Sequence, residues 1–85
     1  MIISVNYTDG ERQEARVTTA DRIKYDFERS RRKWPNAAEA PFLALAYWAY
    51  AALIRTKQTE LDFDDWCETV EDTERLDNSD DSPES

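Results

Sequence analysis

The stretch "APFLALAYWAYAALI", residues 40–54, places fifteen residues without a charge inside a chain that carries thirty. Such a run must be hidden by lipid, by the rest of a small domain or by a partner. At roughly 1.5 Å per residue a helix of this length spans about 22 Å, short of the ~30 Å hydrocarbon core of a bilayer. It is rich in alanine, and Arg55 and Lys57 mark only one end. The pattern predicts a central helix over 40–57, apolar nearly all round because neighbours surround it, and no membrane span.

The neighbours can be read in turn. In "IISVNYTDGERQEARVTT", Ile3, Val5 and Tyr7 alternate with Ser4 and Asn6, and Ala15 and Val17 alternate with Arg16. Asp9-Gly10 lies between them, so a β-hairpin over 2–18 with a type I′ turn is expected. Thr18 and Asp21 then have capping-box spacing and open a helix over 19–33. Ile23 and Phe27, with Ala20 a turn earlier, are expected to form its buried face, opposite Arg22, Lys24, Arg29, Arg31, Arg32 and Lys33. Trp34-Pro35 stops this helix, because proline disfavours the α conformation in the residue before it. Asn36 and Glu39 mark a separate turn before Pro41.

Asp62 is a good N-cap for a third helix over 62–74, with Leu61 placed to staple onto Trp66. Phe63, Trp66, Cys67 and Val70 form its stripe, and Asp64, Asp65, Glu68, Glu71 and Asp72 take the other face. Residues 75–85 are expected to be a disordered acidic tail. Together these segments predict one small α+β domain over 1–74, mainly helical, with an N-terminal β-hairpin packed on three α-helices.

Charge narrows function. Residues 1–57 hold ten Lys/Arg against seven Asp/Glu (+3), and residues 58–85 hold one against twelve (−11), which together give −8. That field repels phosphate backbones, so no nucleic-acid partner is expected; the basic stretch 29–33 is better read as a dipole-compatible helix end facing the acidic segment. The start, "MIISVNYTDGE", lacks the basic-then-apolar order of a signal peptide. The chain has no histidine and one cysteine, Cys67, on an apolar stripe. Asp62, Asp64 and Glu68 fail as a calcium loop, since no glycine supplies the turn and Thr73 stands at the twelfth position. Without a glycine-rich phosphate loop or a metal constellation, no enzyme, metal or cofactor is expected.

Tyr47, Trp48 and Tyr50 spread their rings around much of one helix, more than a hairpin and two helices can cover. The expected partner surface is therefore Tyr47, Trp48, Tyr50, Ile54 and Arg55. Oligomers are expected too, because so small a core gains by burying aromatic surface between subunits.

In its order of elements and short motifs the chain resembles the tail assembly chaperones of long-tailed bacteriophages, especially those of actinobacterial phages. The resemblance covers residues from about 2 to 74. The matching residues are Tyr25, Phe27, Glu28, then Trp34-Pro35, then Trp48, Ala49, Ala52, Leu53 and Arg55, then Phe63, Trp66, Val70, Glu71 and Asp72. It implies a non-enzymatic role in the host cytoplasm: binding the long, aggregation-prone tape measure protein until tube subunits polymerise around it. Such a chaperone is absent from the mature virion, and in many of these phages a frameshift yields a second, longer form. Two other readings stay open, an acidic DNA-mimic inhibitor and a structural head–tail or tail-tip subunit.

Overall fold

A computed structural model describes residues 1–76; the expected tail lies, from residue 77 onward, outside the described residues. Strands β1 (Ile2–Tyr7) and β2 (Arg12–Arg16) form the expected hairpin, with Ile3 opposite Ala15 and Val5 opposite Gln13. Its reversal is a three-residue loop and not a type I′ turn. Tyr7 N–H donates to Glu11 O at 2.8 Å and Gly10 N–H to Tyr7 O at 3.0 Å. Gly10 takes φ 94°, whereas Asp9 keeps a negative φ. The Asp9 carboxylate accepts from Glu11 N–H at 2.9 Å, so the aspartate braces the loop and glycine alone supplies the left-handed residue.

Helix α1 (Thr19–Arg32) begins where the capping spacing placed it, with Thr18 N–H donating to Asp21 Oδ2 at 2.8 Å. It ends on Lys33, left-handed at φ 61°, with Trp34 N–H returning to Arg29 O at 2.8 Å. Asn36 closes the separate turn, since its backbone and side-chain oxygens both accept from Glu39 N–H. Helix α2 (Pro41–Arg55) follows, with proline at its first turn. It stops short of 57 because Lys57 is left-handed (φ 63°), and Lys57 and Gln58 N–H cap Ile54 and Leu53 O.

The largest departure comes last. Helix α3 runs only from Phe63 to Thr69, capped by Asp62 at Asp65 N–H (2.9 Å). Val70–Arg75 is a third strand, β3, antiparallel to the other edge of β1, giving the sheet order β2-β1-β3. The helix expected over 62–74 is thus half that length, and the fold is α+β without being mainly helical. The physical reason is β1, whose second edge would otherwise present a row of unpaired N–H and C=O groups. Between Tyr7↔Val70 and Asn6↔Asp72 the register leaves Glu71 as an extra residue, a bulge where helix gives way to strand. Leu76 N–H still donates to Ile2 O at 2.9 Å, so the ordered domain passes residue 74.

The core lies between the sheet and α2. Ile3, Val5, Ala15 and Val17 meet Ala49, Ala52 and Leu53, and Phe63 and Trp66 of α3 close one end. Alanine on the buried side of α2 brings its backbone close to the strands, which is why the uncharged run has so few large aliphatic side chains. Trp66 is fully buried, and its Nε1–H donates to Tyr7 Oη at 3.2 Å. Leu61 is exposed, so the expected staple onto Trp66 does not hide it.

Candidate functional site

Helix α1 packs against α2 with its polar side. Asp21 and Tyr25 are its buried residues, 0% and 1% exposed. Ile23 and Phe27, expected to be buried, are 47% and 73% exposed. At about 100° per residue these two lie roughly opposite Tyr25 and Arg32, so the apolar stripe points away from the body.

Specific partners explain the inversion. Arg55 Nε and Nη2 each donate to the Asp21 carboxylate at 3.0 Å, and Nη2 also donates to Arg16 O at 2.8 Å. One guanidinium thereby ties α1, α2 and the end of β2 together. Burial pushes the Asp21 carboxyl up, but the Arg55 hydrogen bonds, the Thr18 N–H and the Arg55 charge outweigh it and hold the group below the usual aspartate range. One and two turns further on, Tyr25 donates its hydroxyl to Pro35 O at 2.8 Å, and Glu28 pairs with Arg31 and Arg32. Arg32 also reaches Asp64 at 3.3 Å and lies over the Trp34 ring at 4.9 Å. The end of the basic stretch does face the acidic third helix.

The five residues expected to meet a partner fall into different surroundings. Tyr47 and Tyr50 belong to an internal cluster with Tyr25, Trp34, Phe63 and Trp66, whose centroids stand 5.0–6.2 Å apart. Tyr50 also donates its hydroxyl to Leu61 O at 2.6 Å. Arg55 is the brace just described, and Ile54 is half-buried beside it in sequence. Trp48 is apart from the cluster: Arg22 lies over its ring at 5.3 Å, and its Nε1 is buried without an acceptor among the described residues. It lines a groove of about 380 Å³ together with Thr19, Arg22, Ile23, Tyr25, Asp26 and Ala37.

The accessible candidate is therefore the α1 stripe with this groove along its flank. Phe42, at 84%, is a further exposed ring at the start of α2. Sequence periodicity found the stripe and assigned it inward. A signal for the opposite orientation was present in Asp21, Tyr25, Glu28 and Arg32, spaced along the other face, with Arg55 able to answer Asp21.

Among the described residues no group of three or more His, Cys, Asp or Glu is placed to hold a metal ion. Burial, with the nearby Asp64 charge, pushes the Cys67 thiol up, away from the reactive thiolate. No helix among the described residues is long and apolar enough to cross a membrane. Compared with known protein families, curated proteins and solved structures, the chain gave no match in any of the three.

Proposed function

We propose that this protein is a binding module that shields an apolar client, and that its client is the tape measure protein of a long-tailed phage. The observation that carries the first half is the outward Ile23–Phe27 stripe, in a domain that has buried its other apolar stripes. Large apolar side chains grouped on one helix face beside a groove are surface that a partner would cover. The client's identity rests on the resemblance to tail assembly chaperones. A chaperone of this kind needs an exposed apolar face and enough charge to keep the complex dissolved, and this chain has both. In this reading it acts in the host cytoplasm and leaves before the virion is complete; a longer frameshifted form and self-association are further expectations of it.

The test is co-expression with a tape measure protein from a phage genome that encodes this chain. The expected outcome is that the tape measure protein moves from the pellet to the soluble fraction and co-purifies with this chain. Purified virions should lack the chain by mass spectrometry; its presence there at structural stoichiometry would favour the head–tail subunit instead. Salt-sensitive binding to a DNA-processing enzyme, without tape measure binding, would favour the DNA-mimic.

A further inference from the structure

The charges beside the α1 stripe point to what covers it. At about 100° per residue, Lys24 borders Ile23 and Phe27 on one side, while Arg22 and Asp26 border them on the groove side. Lys24 and Arg22 are exposed and hold no carboxylate among the described residues, whereas Arg31, Arg32 and Arg55 each hold one. Asp26 stands beside Arg22, and Arg22 lies over the Trp48 ring, so the stripe is bordered by two cations and one carboxylate, a net positive patch in a chain of net charge −8.

From this juxtaposition we infer that α1 is the docking face for an acidic amphipathic helix of the client. This rests on the client-binding reading above and adds the chemistry of the segment bound. Apolar residues of that helix at i, i+3, i+4 and i+7 cover Ile23 and Phe27, and one of them enters the groove beside Trp48. Its flanking carboxylates meet Arg22 and Lys24. A second copy of this chain fits less well. A two-fold pairing of α1 with α1 sets a net positive face against its own copy, and the outer face of α3 offers Asp64, Asp65 and Glu68 without an apolar stripe.

The probes are two synthetic helical peptides with leucine at the same four positions, one flanked by glutamates and one by lysines. Each is titrated into the isotope-labelled chain and followed by amide and indole NMR shifts. The glutamate peptide is expected to shift residues 19–33 and the Trp48 indole. Its affinity should weaken about tenfold or more in Ile23→Glu/Phe27→Glu and in Arg22→Glu/Lys24→Glu. All four side chains are exposed, so an unchanged Tm will show that the fold survives. Equal or tighter binding of the lysine peptide at α1 overturns the inference. So does shift mapping to another face, absence of binding by either peptide, or a sedimentation dimer that Phe27→Glu disperses. A tape measure protein that co-purifies equally with wild type and Ile23→Glu/Phe27→Glu removes this surface but keeps the chaperone reading. Peptide binding at α1 without any tape measure association does the reverse.

Discussion

Asp21 carries an unusual share of the domain for one side chain. It caps α1 through the Thr18 N–H and receives a two-point grip from Arg55, and it is wholly buried. A charge-assisted pair of this kind stabilises by about 2 kcal/mol, and losing one partner strands the rest. Asp21→Asn should therefore lower stability by about 2 kcal/mol at neutral pH, measured by urea unfolding. Because the folded carboxyl lies below its ordinary value of 3.8, its contribution is complete above that pH. It is lost as the pH falls further, through the folded-state value. The gap between wild type and Asp21→Asn should accordingly close in acid. Arg55→Lys is predicted to lower Tm as well, since an ammonium cannot reproduce the two parallel bonds and the third to Arg16 O. If Arg55 instead serves only a partner, Arg55→Lys will leave Tm unchanged.

At the scale of elements, β3 is the decisive piece. In an edge strand alternate N–H groups face the neighbour and the solvent. Leu76 N–H bonds Ile2 O, so Leu76, Glu74 and Asp72 should be slow in hydrogen exchange while Thr73 is fast. Consecutive protection through 70–74 would mean a helix there. The hairpin, both long helices and their caps were legible because each has a local cause: Gly10, Thr18 with Asp21, Pro41, Asp62. The strand was hidden because the stripe Phe63, Trp66, Cys67, Val70 ends on a residue that is partly buried whether it continues a helix or opens a strand. What decides between them is β1, whose Tyr7 stands opposite Val70 across most of the chain's length, and no local window contains both. The orientation of α1 was hidden for a related reason. Ile23 and Phe27 are an adequate core face by hydrophobicity, and only the remote Arg55 and the Tyr25–Trp34–Tyr47 rings make the opposite face the better one to bury.

At the scale of the whole molecule, charge and apolar exposure are sorted onto different elements. The carboxylates gather on α3 and β3, where Asp64, Asp65, Glu68, Glu71, Asp72 and Glu74 are exposed. The exposed apolar stripe and its cations lie on α1, while the uncharged run of α2 is mostly spent on the core. An acidic surface keeps a complex dissolved. In the proposed role, the separate apolar face of α1 would hold a client without being masked by that charge. The most direct measurement is the fraction of tape measure protein kept soluble on co-expression, compared between wild type and Ile23→Glu/Phe27→Glu. The predicted result is soluble client with the wild type and pelleted client with the variant, both chains folded with the same Tm. Client that is equally soluble with either chain would contradict the assignment of α1 as the client-binding face, and client that stays pelleted with both would contradict the chaperone reading itself.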